Sequence, residues 1–119
     1  MPSRTERVYF HEMLQACERV IARVANTSFE AFSLDDTLQD AIIYRLAIIG
    51  EAVTRVSTET QAAYPDVPWS KIKGFRNIVV HEYFAVDIRS VWDTATVEAP
   101  RLREQIAAII AAEFPEEAQ

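Results

Sequence analysis

Residues 10–24 read "FHEMLQACERVIARV", and the apolar positions Phe10, Leu14, Cys17, Ile21 and Val24 are spaced 4, 3, 4, 3. Steps alternating between three and four return to one side of a helix that turns every 3.6 residues, so the stretch predicts an amphipathic helix from Thr5 to about Asn26. The period stops at "NTSFEAFSLDD" (26–36), rich in polar turn formers. There Ser33, with Asp36 three residues on, reads as a capping box with Asp in place of the usual Glu. A second helix is expected from that point, because Ile42, Leu46, Ile49, Val53 and Val56 repeat the 4, 3, 4, 3 spacing. Gly50 inside this helix costs about 1 kcal/mol relative to alanine, which predicts a close helix contact at that position.

Further along, "YPDVPW" (64–69) carries two prolines three apart. These interrupt helix and make a rigid connection before a third helix beginning near Ser70. Asp87 is placed to cap a fourth helix with Ile88, Val91, Trp92 and Ala95 on its buried face. Pro100 then falls within a helical pattern, so it either kinks the fourth helix or opens a fifth at its first turn. The second option is preferred, with Leu102, Ile106, Ile109 and Ile110 as the apolar face. No segment shows the sustained alternation and β-branched enrichment of a strand. The expectation is an all-α protein, an up-and-down bundle of four to five helices forming a single domain over residues 1–119.

Half of the 119 residues are apolar and a quarter are charged, as in ordinary water-soluble domains. The longest uncharged stretches, such as "IAAIIAA" (106–112), fall far short of the roughly 20 residues that cross a bilayer. The charged N-terminus lacks a secretory h-region. Together with the single cysteine, Cys17, read as a small core residue, this points to the cytoplasm and away from disulfides and membranes. Twelve basic against eighteen acidic residues give a net charge of −6, which opposes nucleic-acid binding at long range. "WSKIKGFRN" (69–77) is the exception, because it holds Lys71, Lys73 and Arg76 with no acid among them. If the chain touches RNA, Lys71 and Lys73 are its expected contacts.

The third helix leads into "RNIVVHEY" (76–83), in which an arginine, a histidine and a tyrosine interrupt an apolar run. At about 100° per residue, Arg76, Asn77 and His81 share one side, while Ile72, Phe75, Ile78 and Val79 lie on the core side. Gly74 adjoins His81 and leaves room for something to approach. Tyr83 returns almost over Arg76 two turns on, about 10 Å away. Histidine exchanges protons near neutrality, arginine neutralises charge developing on a phosphoryl group, and asparagine orients either partner. That set suits RNA phosphodiester cleavage without a metal or other cofactor. A base takes the 2′-OH proton, the oxygen attacks phosphorus, and an acid protonates the departing 5′ oxygen. One helix supplies one histidine, and the only other, His11, lies on the first helix at a distance from His81 that the sequence does not fix. A two-fold homodimer would bring two copies of Arg76 and His81 into one cleft. "HEML" and "HEYF" begin like zinc-binding helices, but neither continues to a second histidine, and no glycine-rich phosphate loop is present.

The motif R-x4-H-x-Y resembles that of HepT-like toxins, a branch of the HEPN superfamily of helical ribonucleases. "QDAIIYRLAIIGEA" (39–52), "YPDVPWSKIKGFRNIVVHEYF" (64–84), "DIRSVW" (87–92) and "APRLREQI" (99–106) are similar to stretches of that family in the same order. The resemblance implies a HEPN-like bundle and a homodimeric endoribonuclease toxin with Arg76 and His81 as its active groups. It places Asn77 at the polar position following the motif arginine. It also implies a minimal nucleotidyltransferase antitoxin as partner, able to place AMP on Tyr83 and so silence the toxin. A charged nucleotide on Tyr83 would overhang the surface around Arg76. Two other functions remain open on the same residues: a non-catalytic dimer that binds and is modified by a nucleotidyltransferase, and a plain structural bundle.

Overall fold

The computed structural model describes residues 2–77 and 87–117. Its described residues form an all-α bundle without strands. α1 (Arg4–Val24) begins at a full capping box: the Ser3 hydroxyl accepts from the Glu6 N–H, and the Glu6 carboxylate accepts from the Ser3 N–H. A one-turn α2 (Phe29–Ser33) precedes α3 (Asp36–Val53), and a short α4 (Thr58–Ala63) follows it. α5 (Trp69–Lys73) tightens into a 3-10 turn at Gly74–Arg76. After α6 (Ile88–Asp93), a π-helical turn at Thr94–Glu98 leads into α7 (Ala99–Glu113), and a 3-10 turn covers Pro115–Glu117.

Helices start where a short polar side chain relieves the unpaired N–H groups of a first turn. Ser28, Asp35, Ser57 and Asp87 each accept from a backbone N–H two or three residues ahead. The expected Ser33–Asp36 box does not form. Ser33 is instead the last residue of α2 and donates to the Glu30 carbonyl, while Asp35 caps α3. Hydroxyl-to-carbonyl bonding within a turn competes with capping, and it won at Ser33.

α1 lies between α3 and α7, so its buried face is wider than one stripe. Phe10, Met13, Ala16, Cys17, Val20 and Val24 are buried, whereas Leu14 and Ile21 of the expected stripe are half-buried. Across from them, Ile42, Leu46 and Ile49 of α3 and Leu102, Ile106, Ile109 and Ile110 of α7 complete the core. Burial pushes the Cys17 thiol up to about 12, with the neighbouring Glu18 acting in the same direction. The side chain therefore serves as a small apolar residue. Phe29 meets the Trp92 ring edge-on and Phe32 meets it at a tilt, with ring centroids 6.2 Å and 5.3 Å from Trp92 respectively.

Pro100 is the second residue of α7, yet the chain does not break there, since Thr94 and Ala99 both keep right-handed helical dihedrals. A proline in mid-helix removes one N–H and crowds the carbonyl four residues back. The π turn immediately before it widens the backbone at that point, and the Thr94 and Thr96 hydroxyls donate to the Ser90 and Trp92 carbonyls. Pro100 thus lies in the first turn of a fifth expected helix, as preferred, but a π turn and no loop joins that helix to the fourth.

Glu6 joins the start of α1 to the start of α4. Its carboxylate accepts from the Ser57 N–H and the Thr60 hydroxyl as well as from Ser3, and its surface is 7% exposed. Burial raises its carboxyl, but the hydrogen bonds from Ser57, Ser3 and Thr60 outweigh that and hold it below the ordinary value of 4.5. A group with a depressed folded pKa contributes stability above its unfolded pKa and loses it as pH falls through the folded one. Glu6→Gln, which turns an amide donor toward backbone N–H groups, is expected to destabilise the fold by about 2 kcal/mol at neutral pH. Urea melts at pH 7 and below pH 4 provide the check, because the gap between the two proteins should shrink on acidification; an undiminished gap excludes the ionised carboxylate as its cause.

Candidate active site around Arg76

Two anchors fix where α5 begins, and with it the position of Arg76. The Trp69 indole N–H donates to the carbonyls of Gln61 at 3.0 Å and Tyr64 at 2.9 Å. From α7, the Gln105 amide donates to the Asp66 carbonyl at 3.0 Å. Both prolines of "YPDVPW" lie within the segment so held. Ile72 and Phe75 then point into the core, as expected of that face.

Gly50 supplies the third anchor. A Cβ at that position would stand 2.7 Å from the Arg76 backbone nitrogen, 3.1 Å from the Ile72 carbonyl oxygen and 3.2 Å from the Arg76 Cβ. The absent side chain lets the 3-10 turn lie directly on α3, which is the close contact expected at Gly50. Gly74 is different: among the described residues, a Cβ there would meet nothing within 4 Å.

Arg76 is consequently held by its backbone while its side chain, 41% exposed, reaches the surface. One guanidinium nitrogen, Nη1, donates to Glu51 Oε2 at 3.4 Å. The other carboxylate oxygen, Glu51 Oε1, lies 3.9 Å from Arg55 Nη2, and the Arg55 guanidinium sits 5.9 Å from the Tyr9 ring centroid. Beside this chain of contacts, Tyr9, Glu12, Ile48, Glu51, Ala52 and Arg55 line a recess of about 220 Å³ between α1 and α3.

Asn77 follows as an exposed residue. Lys71 donates to Glu98 Oε1 at 2.9 Å across to the π turn. Lys73 is exposed and makes no ion pair among the described residues. The 3-10 turn changes the expected helical wheel, because α5 does not continue uninterrupted through Arg76. Three residues per turn set Lys73 and Arg76 one above the other, so Lys73 adds its charge on the Arg76 side. His81 and Tyr83 lie outside the described residues, as do the Ile78 and Val79 positions of the expected core face. His11 is an exposed residue of α1. Among the described residues, no group of three or more His, Cys, Asp or Glu side chains is placed to hold a metal ion. No helix among them is long and apolar enough to cross a membrane.

Sequence reasoning missed Glu51, Arg55 and Glu98 as neighbours of the basic residues. Glu51 had one pointer, its position directly after the glycine for which a close contact was expected.

Comparison with known proteins agrees with the family resemblance. The profile of a family described as "Ribonuclease HepT-like" matches residues 13–109. A protein of Caldanaerobacter subterraneus subsp. tengcongensis named "Putative RNase" is 41% identical over 107 residues, covering 90% of this chain and 96% of that one. A Methanocaldococcus jannaschii protein with the same description is 30% identical, covering 92% of this chain and 91% of its own. A Thermococcus cleftensis protein named "Probable ribonuclease HepT" is 31% identical, covering 84% and 91%. No solved structure matches the chain.

Proposed function

This chain belongs to the ribonuclease HepT-like family, and from that premise we propose that it is a metal-independent endoribonuclease, the toxin of a toxin–antitoxin pair. The observation that carries the reading is Arg76, fixed by its backbone against Gly50 with its guanidinium at the surface beside exposed Asn77. Its five N–H donors form a planar fork suited to phosphoryl oxygens. In the reaction, His81 removes the 2′-OH proton, the freed oxygen attacks the adjacent phosphorus, and the bond to the 5′ oxygen breaks. Arg76 stabilises the charge on the non-bridging oxygens, and Asn77 orients the reacting groups. A second copy of His81, contributed across a homodimer of this single HEPN-like domain, protonates the departing oxygen. The products are a 2′,3′-cyclic phosphate end and a 5′-OH end, so the electron pair and both protons are accounted for without a cofactor. Lys71 and Lys73 guide RNA toward the cleft, and Lys73, exposed beside Arg76, is the better placed of the two. The proposed setting is cytoplasmic.

Regulation follows from Tyr83. A nucleotidyltransferase antitoxin placing AMP on its hydroxyl adds negative charge and bulk where RNA must approach.

A second reading, a non-catalytic dimer whose role is to bind and be modified by the nucleotidyltransferase, draws on the net charge of −6 and on the Glu51 carboxylate that already offsets the Arg76 charge. One set of assays separates the two. Purified protein, dimeric by light scattering, is expected to cleave RNA equally well in excess EDTA and to leave cyclic phosphate ends. Co-expression with the partner is expected to add whole AMP units to the wild type and none to Tyr83→Phe. Inert but AMP-modified protein favours the second reading, and a monomer removes the composite cleft.

A further inference from the structure

Among the contacts around Arg76, the one with Glu51 is not explained by stability. Both side chains are largely exposed, 41% for Arg76 and 56% for Glu51, and ion pairs of that kind contribute little to folding. We propose that Glu51 is a positioning residue: its carboxylate aims the Arg76 guanidinium, and Arg55 holds the carboxylate in turn. This rests on the ribonuclease reading of Arg76 and adds a residue to it.

Three observations support it together. The two oxygens of Glu51 face different partners, Oε2 toward Arg76 at 3.4 Å and Oε1 toward Arg55 at 3.9 Å, so the carboxylate is oriented from both sides. Arg55 is itself placed over the Tyr9 ring, which brings α1 into the arrangement. Finally, Glu51 is the residue after Gly50, so one turn of α3 fixes both the backbone of Arg76, through close packing, and its side chain, through charge. A free arginine side chain samples many rotamers, whereas one guanidinium edge tied to Glu51 leaves the rest of the fork facing outward for phosphoryl oxygens. The carboxylate also offsets the arginine charge in the resting protein. RNA in its ground state is then held less tightly, and the full attraction is kept for the more highly charged transition state.

The test compares Glu51→Ala, Glu51→Gln and wild type. Alanine removes both tether and offsetting charge, so kcat is expected to fall about 10-fold or more, as misplacement of a reacting group does, while KM falls instead of rising. Glutamine keeps an acceptor for the guanidinium, and its kcat is expected within about threefold of wild type. A merely structural lesion would not lower KM and would not be rescued by glutamine. Wild-type kcat in Glu51→Ala, or equal damage in both variants with a lowered Tm, overturns the proposal. Side-chain ¹⁵N NMR of Arg76 decides it independently of cleavage: separate Nη signals are expected in the wild type and a merged signal in Glu51→Ala. Identical signals in the two proteins sink it. If wild type and Arg76→Ala instead degrade RNA equally, the ribonuclease reading fails, and the NMR comparison still decides whether Glu51 orients Arg76.

Discussion

Arg76→Ala is expected to lower RNA cleavage by about 10³-fold, the upper range for removing one preorganised donor to a developing oxyanion, while Tm stays within about 4 °C of wild type. The two halves of that expectation have separate physical causes. Stability is nearly indifferent because the Arg76 side chain is partly in solvent and its partner Glu51 more so; an exposed pair contributes about 0–1 kcal/mol, which moves the Tm of a domain this size by a few degrees. Activity is sensitive because the pentacovalent phosphorane carries more negative charge than the diester, and a guanidinium stabilises that increment. Arg76→Lys separates charge from geometry. Lysine keeps the charge but lacks the planar fork, so its rate is expected between those of wild type and alanine. His81→Ala is expected to match Arg76→Ala in rate, since removing a general base commonly costs about 10² to 10⁴-fold. Single-turnover cleavage of a labelled RNA measures all four proteins. Wild-type rates in Arg76→Ala would remove the mechanism; a large Tm loss in that variant would show instead that the residue belongs to the core.

The helical character was legible because the apolar spacing of α1, α3 and α7 is close to ideal, and the caps at Asp87 and the contact at Gly50 followed from single residue types. What was not legible depends on partners distant in sequence. The buried face of α1 shifted from Leu14 and Ile21 toward Met13, Ala16 and Val20 because two helices flank α1, and a wheel drawn on one helix does not register a second neighbour. Ser33 has two local uses for its hydroxyl, and composition does not say which prevails. Near the site, Arg76 and Asn77 were found as polar interruptions of an apolar run, but Glu51 lies 25 positions from Arg76 and Glu98 lies 27 from Lys71. Those pairings exist only once α3 and the π turn are packed against α5. The 3-10 turn at Gly74–Arg76 was likewise invisible, since no residue preference marks it, and it lies where the chain packs closely on Gly50.

Gly50→Ala is expected to reduce cleavage about 10 to 100-fold and to destabilise the protein by roughly 1–2 kcal/mol, even though alanine is the better helix former by about 1 kcal/mol. The sign is decided by what the new methyl group meets. Its nearest neighbour is the Arg76 backbone nitrogen at 2.7 Å, with the Ile72 carbonyl oxygen at 3.1 Å, and neither is the movable end of a flexible side chain. Relief requires the whole 3-10 turn to move off α3 by a large fraction of an ångström. The Trp69 indole and the Gln105 amide, bonded to the Gln61, Tyr64 and Asp66 carbonyls, resist movement of the segment before it. The displacement therefore falls on Arg76 itself, and if Arg76 has the proposed role, a shift approaching 1 Å in it has effects on the order of 10²-fold. Gly74→Ala is the matched control. Gly74 has helical dihedrals, and among the described residues its added methyl would meet nothing within 4 Å, so that variant is expected to gain about 0.5 kcal/mol from a stiffer unfolded chain. Thermal melts and cleavage rates of the two alanine variants, measured side by side, test the contact. If Gly50→Ala keeps both its Tm and its rate, the close approach of Arg76 to α3 does not fix the site, and Arg76 must be oriented by other contacts.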